Sequence, residues 1–276
     1  MVPAMNDPET RGFVDGPAGP IAWRRFGSGP PLVLINGYAA TKEDWDPNFL
    51  DSLGRKSTVY CPDNRALGES GGGPEDVSIG AMADDVLALM DAQSIESADV
   101  VAWSMGGFIA QTMAANAPER VKRLVLIATD PGGTEAARRE DVIHDRLLDH
   151  SGTPDERARR LLALLFPPEV AAAIYEQAGE IVAAAQEALP IDVLRAQERA
   201  MEDWYSGSAE TRLAAITAPV LAATGSLDEV IPPANAALLS ERLPDAWLAR
   251  FQGGGHAFMA QEPQRLGALI AAFTGR

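Results

Sequence analysis

The stretch Val100-Val101-Ala102-Trp103-Ser104-Met105-Gly106-Gly107, continuing as FIAQTMAANA over residues 108–117, decides the fold. An apolar run stops at a serine, and a helical pattern starts almost at once. A strand that turns into a helix this tightly puts the residue at the turn in strained backbone. Its neighbours two positions away must then be small. Ala102 and Gly106 are small, and Gly107 lets the helix approach the sheet. Such a turn displays the hydroxyl of Ser104 at a strand end, with a helix N-terminus behind it that favours developing negative charge. Ser104 is the candidate nucleophile.

Working outward, short apolar runs of the same kind recur at Leu32–Ile35, Thr58–Cys61, Leu124–Ala128, Val220–Thr224 and Trp247–Phe251. Phe13–Asp15 and Ala22–Phe26 read as an opening hairpin joined through GPAGP. Between the runs, Ile79, Met82, Val86, Leu89 and Met90 fall at helical spacing, with Asp84, Asp85 and Asp91 on the other side. Phe108–Ala117, Ala234–Arg242 and Gln264–Phe273 also read as helices. Strands alternating with helices predict an α/β protein: a mostly parallel, eight-stranded sheet with helices on both faces. From 134 to 206 the rhythm breaks into Ala-, Leu-, Glu- and Arg-rich helical sequence punctuated by Pro154, Pro167, Pro168 and Pro190. That segment is expected to be a helical lid over a core formed by 1–133 and 207–276.

A serine hydroxyl needs a base, and the chain has three histidines. His144 and His150 lie in the charged helical insertion and read as solvated. His256 follows Gly253-Gly254-Gly255, after the last apolar run and before the final helix, where flexible backbone can swing an imidazole over the sheet edge. His256 is the expected base. Its orienting carboxylate is expected to be Asp228, in the loop after Val220–Thr224, with Asp130 as the competitor past the preceding run. Asp228 is preferred; both candidates keep the chain order serine, acid, histidine that triads built on such an elbow use. Oxyanion donors are expected from the backbone N–H groups of Met105 and Tyr38, the latter after Asn36-Gly37, a dipeptide that reads equally as an ordinary turn. Trp103, Tyr38, Phe108 and Met259 are candidates for a pocket floor. Leu161, Leu162, Leu164, Leu165, Phe166 and Ile174 are candidates for its roof.

Composition narrows the function classes. A net charge of −16 repels nucleic acid and anionic membranes, so neither is an expected partner; it says little about the charge of a small-molecule substrate. The single cysteine, Cys61, excludes an internal disulfide and a cysteine metal cluster, and reads as a small buried residue. No histidine pair has metal-ligand spacing and no G-x-G-x-x-G follows a strand, so no cofactor or metal is expected. The opening MVPAMNDPET lacks an apolar leader and no long apolar run occurs, which makes a soluble cytoplasmic protein the expectation.

Six segments together resemble the α/β-hydrolase superfamily: PLVLINGY (31–38), DNRALGES (63–70), WSMGG (103–107), APERVKRLVLIAT (117–129), GSLDEVIP (225–232) and GGGHAF (253–258). Within it the chain looks most like the serine-nucleophile branch of small capped carboxylesterases, enol-lactonases and cofactor-free perhydrolases. It is similar to enol-lactonases in Asn36 and in the pair Trp45-Asp46. It departs from the common pattern at Asn36, where His is usual, and at Ala66 and Ala102, where Gly is usual. The resemblance implies hydrolysis of a small to medium, largely apolar ester or lactone through an acyl-enzyme. Perhydrolysis, C–C bond hydrolysis and a non-enzymatic receptor are its alternatives. Asp63 and Arg65 are expected to tie their turn together as a buried ion pair.

Overall fold

The strand β5 (Ala98–Trp103) is buried along its whole length and lies at the middle of the sheet. The computed structural model describes residues 9–276; the leader-free reading of the N-terminus rests on residues outside them. Around β5 stand β1 (Thr10–Gly16), β2 (Gly19–Phe26), β3 (Pro31–Ile35), β4 (Thr58–Pro62), β6 (Val121–Ile127), β7 (Val220–Gly225) and β8 (Ala246–Phe251). Their spatial order is β1-β2-β4-β3-β5-β6-β7-β8. The pairs β1–β2 and β2–β4 are antiparallel, and every later pair is parallel. The opening hairpin closes with Gly16 opposite Gly19, as the GPAGP turn predicts.

Period-two alternation divides the core between the two faces of the sheet. Val33, Ile35, Val100, Ala102, Leu124, Leu126, Val220 and Ala222 face one side, against α2 (Ile79–Ala92) and α3 (Met105–Asn116). Leu32, Leu34, Val101, Trp103, Val125, Ile127, Leu221 and Ala223 face the other, against α1 (Pro47–Gly54) and, after the short α10 (Phe258–Gln261), α11 (Pro263–Thr274). Burial on both faces explains why these strands read as unbroken apolar runs. The edge strand β8 differs: Trp247 and Leu248 are about half exposed there.

Between β6 and β7 run α4 (Asp141–Leu147), α5 (Pro154–Leu165), α6 (Pro168–Ala188), α7 (Ile191–Ser206) and α8 (Ala209–Ala215); α9 (Ala234–Arg242) follows β7. The prolines punctuate this excursion as expected, Pro154 and Pro168 each opening a helix. Thr153 and Glu156 form a reciprocal capping box at the start of α5. None of the described helices is long and apolar enough to cross a membrane.

Two charge readings need correction. Asp63 and Arg65 do not pair with each other, because the turn after β4 sends them to different neighbours. Asp63 meets Lys42 Nζ at 2.6 Å, and Arg65 makes a two-pronged contact with Asp85 on α2, both bonds 2.7 Å. Asp85 is therefore buried rather than on the solvent side of α2, and Lys42 is buried with it in this charged layer.

Candidate active site

Ser104 occupies the turn between β5 and α3 with φ 55° and ψ −125°, a region L-residues rarely adopt. Neighbouring backbone holds it there. Its N–H donates to Ile127 O at 2.9 Å, and its carbonyl accepts from the Thr129 hydroxyl at 2.8 Å. A Cβ at Gly106 would come within 2.5 Å of the carbonyls of Ile35 and Asn36, and one at Gly107 would collide with Thr129. Both glycines are thus required by close approach, the reason the sequence suggested.

His256 Nε2 lies 3.0 Å from Ser104 Oγ, and His256 Nδ1 lies 2.9 and 3.0 Å from the two oxygens of Asp228. All three residues are buried. Asp228 Oδ1 also accepts the N–H groups of Val230 and Ile231, at 3.0 and 2.9 Å, which fixes the carboxylate. With the imidazole neutral and its proton on Nδ1 facing Asp228, the Nε2 lone pair is free to accept the serine O–H. Trp103 supports the ring, donating from Nε1 to His256 O at 3.0 Å with the two rings 5.4 Å apart.

The glycines before His256 act differently from the sequence reading. Only Gly253 has positive φ; Gly255 is there because a Cβ would reach 2.6 Å from the carbonyl of Leu165 on α5. The loop is packed against that helix rather than loose. Asp130, the competing acid, makes no hydrogen bond to His256, whose Nδ1 meets Asp228. Asp130 accepts from Trp204 Nε1 at 3.1 Å, Tyr205 OH at 2.8 Å and Gly132 N–H at 2.8 Å. Burial holds its carboxyl above the ordinary range despite these donors.

The loop after β3 passes directly over the serine. A Cβ on Gly37 would sit 3.1 Å from Ser104 Cβ, and the next residue, Tyr38, lines the same cavity as Ser104. Met105 packs its side chain into the core and can offer the site only its N–H, the first of α3. Asn36 ties two strand ends together. Its Nδ2 donates to Pro62 O at 3.1 Å, and its carbonyl accepts from Asn64 Nδ2 at 3.2 Å.

A cavity of about 560 Å³ opens above Ser104 and His256. Tyr38, Trp103, Phe108 and Met259 all line it, as do the six apolar residues expected at the roof. Sequence reading missed its polar rim, where Arg139, Arg146, Arg157 and Arg160 reach in. Arg146 lies on α4 and Arg157 and Arg160 on α5, while Arg139 precedes α4; which side of these segments faces the cavity is set by packing alone. The histidines of the insertion are not simply solvated either. His150 Nε2 lies 2.6 Å from Glu198 Oε1 and lines the cavity, and His144 faces Arg139. Among the described residues, no group of three or more His, Cys, Asp or Glu is placed to hold a metal ion.

The family model for the alpha/beta hydrolase fold matches residues 30–263. The chain belongs to the α/β hydrolase fold family. This hydrolase is 29% identical to RutD of Azorhizobium caulinodans, provisionally named a carbamate hydrolase, over 90% of this chain and 92% of that one. It is 30% identical to the pimeloyl-acyl-carrier-protein methyl ester esterase of Vibrio campbellii, over 87% of this chain and 92% of the relative. Its fold matches a meta-cleavage product hydrolase from Pseudomonas fluorescens with a TM-score of 0.84 at 20% identity, covering 96% of this chain and 97% of that one.

Proposed function

We propose that this α/β hydrolase cleaves a carboxylic ester or lactone with Ser104 as nucleophile, His256 as base and Asp228 as its orienting acid. The observation that carries the reading is one imidazole bridging serine and carboxylate, 3.0 Å from Ser104 Oγ and 2.9 Å from Asp228, on the floor of a largely apolar cavity.

In this scheme His256 Nε2 takes the Ser104 proton as Oγ bonds to the carbonyl carbon. The carbonyl oxygen becomes an oxyanion held by the N–H groups of Met105 and Tyr38, each such donor contributing roughly 3–4 kcal/mol at the transition state. Asp228 keeps the imidazole in the right tautomer and stabilises the imidazolium. The tetrahedral centre then collapses, and the alkoxide leaves with the proton from Nε2. Water attacks the acyl-enzyme by the same route and releases the acid and the free serine.

The helices of residues 134–206 act as the lid in this reading. Leu161, Leu162 and Ile174 suit a small to medium apolar acyl or alkyl group. Intact mass after exposure to a small fluorophosphonate tests the reading. One adduct is expected on wild type and none on Ser104→Ala or His256→Ala; an adduct retained by Ser104→Ala would overturn it.

A further inference from the structure

The loop that carries Tyr38 is held from outside the sheet. Ala39, the next residue, has φ 55°, a left-handed conformation that costs an alanine free energy and persists only where neighbours impose it. The neighbour is α7. The Ala39 N–H donates to Gln197 Oε1 at 3.1 Å, and Tyr38 OH donates to Glu198 Oε1 at 2.7 Å. Val193 and Leu194 of the same helix pack against Tyr38 and Ala39.

Gln197 has no solvent exposure, and its Nε2 has no acceptor among the described residues. The amide is oriented by the one bond it makes, since the Ala39 N–H requires an oxygen. A buried amide left half unsatisfied is a poor choice for packing alone. Burial and the Glu198 carboxylate hold the Tyr38 phenol well above its usual range, so it remains a neutral donor. His150, between α4 and α5, reaches the same Glu198 oxygen, so three segments converge on this anchor.

We propose that Gln197 and Glu198 are positioning residues: from α7 they clamp Tyr38 and Ala39 so that the Tyr38 N–H stays aimed at the oxyanion. Neither Gln197 nor Glu198 lines the cavity above Ser104. Helix α7, one of the five between β6 and β7, thereby helps complete the transition-state site. This inference rests on the reading of Ser104 as nucleophile. Misalignment acts on the transition state more than on substrate binding, so it appears in kcat and spares KM.

The test compares Gln197→Leu, which keeps the volume but loses the acceptor, with Gln197→Glu, which restores an acceptor oxygen. Each is assayed with p-nitrophenyl butyrate and by amide hydrogen exchange over residues 36–41. For Gln197→Leu the expected result is a kcat about 10- to 100-fold lower, short of the 10²–10³ for outright loss of one oxyanion donor. KM should stay within about twofold, exchange over 36–41 should quicken, and exchange around His256 should be unchanged; Gln197→Glu should recover most of kcat. Unchanged kcat, or a loss confined to KM, overturns the proposal. Should Gln197→Leu fail to fold, Tyr38→Phe removes only the bond to Glu198 and keeps the backbone donor, and a wild-type kcat there counts against the clamp. If the wild type neither turns over the ester nor takes the fluorophosphonate, the hydrolytic reading fails on its own. The exchange data still decide the clamp then, since unaltered exchange over 36–41 in Gln197→Leu overturns it.

Discussion

At the scale of single residues, the two carboxylates that compete in the sequence are separated by what they touch. Asp228 reaches the imidazole, whereas Asp130 is enclosed by Trp204, Tyr205 and Gly132. Asp228→Asn is therefore expected to lower kcat by roughly 10³- to 10⁴-fold, while Asp130→Asn leaves kcat within a few-fold; steady-state kinetics on one ester decides. Asp130 should show itself in stability instead. Its folded carboxyl titrates above the unfolded one, so the folded state binds the extra proton. The stability it contributes is present at acid pH and is lost as pH rises from the ordinary Asp range through the raised value. Urea midpoints measured from acid to neutral pH should fall more for wild type than for Asp130→Asn. Cys61 is simpler, since burial pushes its thiol up to about 12, and it should resist iodoacetamide until the protein is unfolded. Ala66 has φ 62°, a left-handed conformation glycine adopts without strain, and Ala66→Gly is expected to add up to about 1 kcal/mol of stability by removing that strain.

At the scale of elements, reading worked where one periodicity ruled and failed where two elements shared a charge. β5, β6 and β7 were legible because burial on both faces makes a continuous apolar run. α2 was legible from its spacing, but Asp85 was placed on its polar side. Nothing in the helix discloses that Arg65 of a distant turn will reach it. The buried Lys42, tied to Asp63 at 2.6 Å and to Glu69 at 2.7 Å, was invisible for the same reason: its partners lie 21 and 27 residues along the chain. Removing one member of such a buried pair leaves the other uncompensated. Lys42→Met should thus lower stability by about 3 kcal/mol in urea unfolding, with little effect on the fluorophosphonate reaction of the folded protein.

At the scale of the whole molecule, the cavity is a joint product of the sheet edge and the helices between β6 and β7. Its size bears on substrate choice: Ala178 on α6 lines it, so Ala178→Trp should cut turnover of hexanoyl esters more than that of acetyl esters. A chain-length profile of kcat/KM checks this, and equal losses for both would place the substrate elsewhere. The sequence by itself determined the strand–helix alternation and the strand–turn–helix setting of Ser104. Each of these is written in local composition or periodicity. Only the tertiary structure decided that Asp228 rather than Asp130 meets His256, that Arg139, Arg146, Arg157 and Arg160 ring the cavity, and that Gln197 and Glu198 reach the loop at Tyr38. Those depend on side chains brought together from separate segments, 28 residues apart for Asp228 and His256 and 158 for Ala39 and Gln197. Contacts at that separation leave no periodic trace in the chain, because nothing local requires them.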